Sequence, residues 1–250
     1  MKINIFIPYL VGLSIMCFAQ EEERTIKSEK YIDALQNCQG ESYSKFMAID
    51  DKEFNHIVRL AYEAIEIAST EILRKTKDDI PLRNAQGDFF RVIKERYSYI
   101  LKNLIRIPVF VKAKILSSEE VNKGGFRQIN LKLKQEYIIK GKETFLLQPE
   151  FEVYYREYEY VTESNDYKIG KSYLFPLWDR GEPENKIFSI ATWLSGDGSR
   201  FLVENGVLHD ENNNFKMGTE VNWDDFVKSI NEMIFKIVNE KELDVYKMPR

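Results

Sequence analysis

Cysteine is nearly missing from this chain. Its 250 residues include two, Cys17 and Cys38, and Cys17 falls in the leader segment described below. One remaining thiol cannot close an intrachain disulfide, so a hydrophobic core must hold the fold. Cys38 follows Leu35-Gln36-Asn37 and precedes Gln39-Gly40, the setting of an incidental thiol at a fraying helix end. Histidine is as scarce. His56 and His209 show neither an HExxH pattern nor paired ligand spacing, so no metal site is expected. No Asn-x-Ser/Thr sequon occurs, which favours a bacterial envelope over a eukaryotic secretory route.

Excess positive charge is also lacking. Removing Lys2 with the leader takes the 36 basic residues to 35 against 40 acidic ones, a net charge of −5. That balance gives no electrostatic reason to bind nucleic acid. After residue 20 no run is apolar enough to span a bilayer, so no transmembrane segment is expected in the mature chain. Nucleotide motifs fail on spacing. Gly196-Asp197-Gly198 would need a third glycine where Phe201 stands, and no Gly-Lys-Ser/Thr stands in that stretch. Asp210-x-Asn212-x-Asn214 begins like a calcium loop, but Phe215 and Val221 occupy the positions of its glycine and glutamate. It reads as a solvated asparagine turn. Ser195 or Ser199 with His209 and Asp210 lacks the nucleophile elbow of a hydrolase triad. No catalytic, metal or cofactor residue is therefore assigned.

What is present begins with MKINIFIPYLVGLSIMCFAQ. Lys2, a short apolar core to Phe18 and small Ala19 match a signal peptide cut near Ala19 or Gln20. The chain is expected to be exported, periplasmic or secreted. A lipoprotein through Cys17 is the lesser alternative, because Met16 stands where a small residue is needed.

The apolar rhythm then changes once. Residues 28–38 fit a short helix capped by Ser28. Phe54, Val58, Ala61, Ile65, Ala68 and Ile72 make one helical stripe, and Phe90, Ile93, Tyr97, Ile100 and Leu104 make another. With residues 77–84 as a loop, these predict a helical hairpin, ended before Pro108. Beyond Pro108 the period becomes two. Val109, Val111, Ala113 and Ile115 alternate with Phe110, Lys112 and Lys114. Ile129, Leu131, Leu133 and Tyr137 alternate with Asn130, Lys132, Lys134 and Glu136. Further strands are predicted at 144–147, 151–160, 172–178, 187–194, 199–204 and 207–210, with Pro176 marking an edge or bulge. Gly196-Asp197-Gly198 and Asn205-Gly206 read as hairpin corners. Trp223, Phe226, Ile230, Met233 and Ile237 predict a closing helix over 223–239, capped by Asn222. Strands with no helix between them predict an antiparallel sheet or barrel.

The most distinctive surface candidate is FEVYYREYEY, residues 151–160. Its Tyr154, Tyr155, Tyr158 and Tyr160 could anchor an unknown protein or glycan partner. The competing reading is cross-strand aromatic pairing in a barrel wall.

Val109-Phe110-Val111 opening a strand, Glu136-Tyr137-Ile138-Ile139-Lys140-Gly141 ending another, and Tyr167-Lys168-Ile169-Gly170-Lys171-Ser172-Tyr173-Leu174-Phe175 together resemble the netrin-like module. That module includes the N-terminal domains of tissue inhibitors of metalloproteinases. The resemblance covers about residues 107–195 and implies an OB-like Greek-key barrel of about five strands. The inhibitors' N-terminal cysteine and the module's disulfides have no counterpart here, so no inhibitory residue carries over.

These readings give an α+β fold, an N-terminal helical hairpin packed on an antiparallel OB-like β-barrel with a C-terminal amphipathic helix. The expected division is a signal peptide at 1–20, a helical region at 21–106, and barrel with closing helix at 107–250. The expected function is an exported, non-enzymatic binding or interaction protein of the cell envelope. The alternatives are an exported hydrolase without a recognisable motif and a protease-inhibitor-like protein.

Overall fold

The structure is a computed structural model that describes residues 7–38, 43–123, 126–141, 149–157, 167–179, 188–190 and 200–239. Among these the chain is α+β. Helices come first, then a largely antiparallel sheet, then a closing helix. The helices are α1 (Ile7–Asn37), α2 (Tyr43–Ala48), α3 (Asp51–Asp78), α4 (Ile80–Arg96), α5 (Tyr99–Arg106) and α6 (Trp223–Asn239). The strands are β1 (Val109–Lys123), β2 (Phe126–Lys140), β3 (Glu150–Glu157), β4 (Ser172–Asp179), β5 (Phe188–Ile190), β6 (Leu202–Glu204), β7 (Val207–His209) and β8 (Glu220–Asn222). No helix among the described residues is long and apolar enough to cross a membrane.

Both predicted helical stripes are buried throughout, but the helices that carry them are divided differently. The expected loop over 77–84 shrinks to one residue. Asp79 ends α3, its N–H bonding the Lys75 carbonyl, and starts α4, its carboxylate accepting from the Leu82 N–H at 2.8 Å. Pro81 stands in the first turn of α4, where no intrahelical donor is required. The second stripe crosses a break. Tyr97 closes α4 and Ser98 caps α5, accepting from the Leu101 N–H at 3.1 Å. Ser28 is no N-cap, because α1 runs through it. Its buried hydroxyl donates to the Thr25 carbonyl and to Glu71 of α3, both at 3.0 Å. Among the described residues the N-terminal part is thus five helices, not a hairpin with a short helix before it. Tyr31, Leu35, Phe54, Phe89 and Ile93 lie in its core, joined by Ile237 from α6.

In the sheet, β1 pairs along its length with β2 and through its first half with β4. Register shifts near Val111, Ala113 and Ser117 bend β1 so that it serves both neighbours. Strand β2 continues to β3, β3 to β5, and β5 to β4, so the order of neighbours returns to β1. The β3–β5 pair is parallel, a departure from the wholly antiparallel expectation. Strands β6, β7 and β8 extend from β4.

Pro176 is not on an edge strand, since β4 is flanked on both sides. It lies where the partner of β4 changes, from β6 at Ser172 and Tyr173 to β5 at Leu177. A proline fits there, because no pairing on that side among the described residues requires its missing N–H. Tyr137 also departs from its predicted face. The β1 irregularities put it out of phase, and it is exposed, packing edge-on against Trp223.

The alternation otherwise sorts β1 and β2 as expected. Val109, Val111, Ala113, Ile115, Ile129, Leu131 and Leu133 share one core with residues of β3 and β4. Phe110, Ile139 and Leu174 face the other way. They join Ile100 and Leu104 of α5 and Phe226 and Ile230 of α6 in a third core, which glues helices to sheet. Helix α6 has the predicted bounds and cap. The Asn222 side-chain oxygen accepts from the Asp224 and Asp225 N–H groups at 2.9 and 3.2 Å.

Candidate functional site

Helix α3 is amphipathic and bends within its length. Ala68 leaves helical geometry at φ −133° and ψ 30°. Ile65 and Ser69 stand beside the bend, with Ile72 and Leu73 one turn on. Opposite them α4 presents Arg83, Gln86, Gly87, Phe90, Arg91, Lys94 and Glu95, spaced at three and four residues along one face. Helix α5 adds Lys102 and Arg106, and β4 adds Trp178. Together they line a cleft of about 510 Å³, within the range that holds small organic ligands.

The cleft has an apolar floor and a basic rim. Ile65, Ile72, Leu73, Phe90 and Trp178 supply the floor. Among the described lining residues, Arg83, Arg91, Lys94, Lys102 and Arg106 supply five cations against the single carboxylate of Glu95. This inverts the sign of the whole chain, whose formal net charge is −4. Arg91 is occupied locally, 3.4 Å from Glu95 and stacked 4.0 Å over Tyr43. Arg106 lies between aromatic faces, 5.7 Å from the Phe90 ring and 5.9 Å from Trp178. At Lys102 burial lowers the amine's affinity for a proton, and the like charges of Arg106 and Lys94 lower it further. Folding therefore crowds cations from two helices into a half-buried corner, which shows as the lowered proton affinity of Lys102. Gly87 adds bare backbone to the lining, and a Cβ there would meet nothing within 4 Å.

A buried lysine holds α5 in place. Lys140, at the end of β2, is 1 % exposed. Its Nζ donates to the Leu104 and Ile107 carbonyls at 2.6 and 2.8 Å and lies 4.3 Å over the Tyr62 ring. These carbonyls end α5, where a cation also suits the helix dipole. Beside it the Gly141 N–H donates to Glu66 of α3 at 3.0 Å. Burial pushes the Lys140 amine down to about 7, with Glu66 acting in the opposite sense. Burial likewise raises the Tyr62 phenol, and the charge of Glu66 adds to that.

The sequence pointed elsewhere. Tyr154 and Tyr155 lie on opposite faces of β3, as successive strand residues must. Tyr154 is half-buried. Tyr155 is 2 % exposed and belongs to the sheet's interior, so it is withdrawn from any partner surface. It meets Tyr167 edge-on at 5.4 Å, and Arg200 covers both rings at 5.0 and 4.6 Å. Tyr158 and Tyr160 lie outside the described residues, as do the expected strand at 144–147 and the Gly196–Gly198 corner.

Asn205-Gly206 does turn β6 into β7, with φ of 51° and 75°, the positive pair a tight hairpin corner demands. The asparagine turn after it is not simply solvated. Asp210 is fully buried, and its carboxylate accepts from Asn214 Nδ2 at 2.9 Å and the Phe215 N–H at 2.8 Å. Among the described residues no three His, Cys, Asp or Glu side chains group to hold a metal. His56 is exposed on α3, and His209 lies 3.6 Å from Glu220. Cys38 is buried in the helical core. Among the described residues, the carboxylates displaced from their ordinary titration, Glu23, Glu150 and Glu204, are all lowered by lysine partners.

No protein-family model matches the chain, and no curated protein matches it either.

Sequence reasoning missed the cleft, although part of its signal was present. Arg83, Arg91 and Lys94 fall on one face of a helix whose other face carries Phe89 and Ile93. A basic helical face is ordinarily a solvated one, and nothing in the sequence placed Lys102, Arg106 and Trp178 opposite it.

Proposed function

We propose that this chain is an exported, non-enzymatic binding protein that takes an anionic ligand in the cleft between α3, α4, α5 and β4. The observation that carries this reading is five cations around an apolar floor in an otherwise acidic chain. Export rests on the leader-like first twenty residues, and places the protein in the periplasm or outside the cell. For the sheet we favour an OB-like barrel, a helical region at 21–106 packing against it. The return of the strand order to β1 and the order of the netrin-like motifs support that reading. Fold alone does not give a function, so the binding assignment stands on the cleft.

The test uses 8-anilinonaphthalene-1-sulfonate, an aromatic anion whose fluorescence rises on binding. Saturable binding is expected, weakened at least tenfold in the Lys94→Glu/Lys102→Glu double variant and by added salt. Equal binding by the parent and the double variant would remove the cleft from consideration.

A further inference from the structure

The anion reading can be taken further, on which the following rests. Asp79 alone joins α3 to α4, so the two helices run antiparallel. Residues about equally far from Asp79 therefore face one another. Ile65 and Ser69 stand at the level of Phe90 and Lys94, and Leu73 at that of Arg83 and Gln86. From Arg83 to Lys94 the face of α4 rises about 16 Å. The cleft is thus long, and its two ends differ. At one end Lys94, Lys102 and Arg106 converge from two helices beside Trp178. Toward the other the walls are Ile72 and Leu73 of α3 and the bare backbone of Gly87. Leu73 is a large apolar side chain 38 % exposed within this lining.

We propose that the cleft is a site for an amphipathic organic anion. Its phosphate or carboxylate head sits in the corner of Lys94, Lys102 and Arg106, and its apolar body lies along Ile72, Leu73 and Gly87. Charge complementarity selects the head, since cations of two helices meet in that corner. The length and floor select the body. A bare phosphate would fill only the corner of this cleft of about 510 Å³ and leave its apolar floor without a partner. A long polyanion would bring charge against Ile72 and Leu73, where desolvation opposes it. Arg83 marks the far mouth, open to solvent, where the end of a longer ligand would emerge.

Isothermal titration of the full chain with octyl phosphate, tripolyphosphate and octanol tests this. Octyl phosphate is expected to bind saturably and at least tenfold more tightly than either of the others. Lys94→Glu/Lys102→Glu should weaken it tenfold or more, and Leu73→Glu several-fold. Leu73 is exposed enough that its replacement leaves the core intact, and far-ultraviolet circular dichroism checks that each variant is folded. Tripolyphosphate binding as tightly as octyl phosphate, and lost in the lysine double variant, would overturn the amphipathic ligand while leaving an anion site standing. Octanol binding as tightly as octyl phosphate would overturn the charged head. Binding of neither phosphate would overturn the anion reading itself.

Discussion

Lys140 shows how one side chain links three elements. Its hydrocarbon stem ends β2, its amine satisfies two carbonyls at the close of α5, and Tyr62 of α3 covers it. A neutral amine still has two N–H donors, enough for both carbonyls. Replacing Lys140 by methionine keeps the bulk but leaves the Leu104 and Ile107 carbonyls buried without this donor. A loss of about 2 kcal/mol is expected, measured by urea unfolding at pH 9. The loss depends on pH, and its sign follows from linkage. Between about pH 7 and the ordinary lysine range the unfolded chain holds a proton that native Lys140 has shed. Raising the pH through this window therefore favours the native parent. The stability gap between parent and Lys140→Met should widen from pH 7 to pH 10, and a gap that narrows would contradict the assignment. At higher pH the buried phenol of Tyr167, pushed up to about 12, keeps its proton when the unfolded chain has lost it. Stability then falls in both proteins alike.

At the scale of elements, the helices are set by caps as much as by their apolar faces. Asp79 serves two of them at once, so Asp79→Ala should cost about 1 kcal/mol. Gly87 is its converse. It stands exposed inside α4, where alanine would be a better helix former by about 1 kcal/mol, and its missing Cβ has open space around it. Gly87→Ala should therefore raise the melting temperature, as scanning calorimetry would record. Were Gly87→Ala destabilising, the space above α4 would have to be filled. Both stripes were legible from the 3.6-residue period, and so were the hairpin at Asn205-Gly206 and the bounds of α6. The break at Tyr97–Ser98 was not, because both flanking segments keep their apolar face through it. The single-residue junction at Asp79 was hidden behind a polar run that reads equally well as a loop.

In the whole molecule the helices and the sheet share their cores. Phe226 and Ile230 of α6 lie in the core between helices and sheet, while Ile237 of the same helix reaches the core of the helical part. Such stitching predicts one cooperative unfolding transition. Ile237→Ala, at a site with no exposure, should cost about 2–4 kcal/mol. It should also lower the midpoints seen by far-ultraviolet circular dichroism and by tryptophan fluorescence together. Two separated midpoints would show that the helices and sheet unfold independently.

Which residues turn inward is a property of neighbours along the chain, carried by a period of 3.6 before Pro108 and of two after it. The sequence therefore determined the helical stripes, the inward faces of β1 and β2, and the closing helix by itself. The cleft depends on residues far apart in sequence, from Ile65 to Trp178, and on a lysine buried at the end of a strand. Only the tertiary structure could decide that convergence. Charge on a helix face is cheap in water and becomes a site only when a second helix brings its own charges against it.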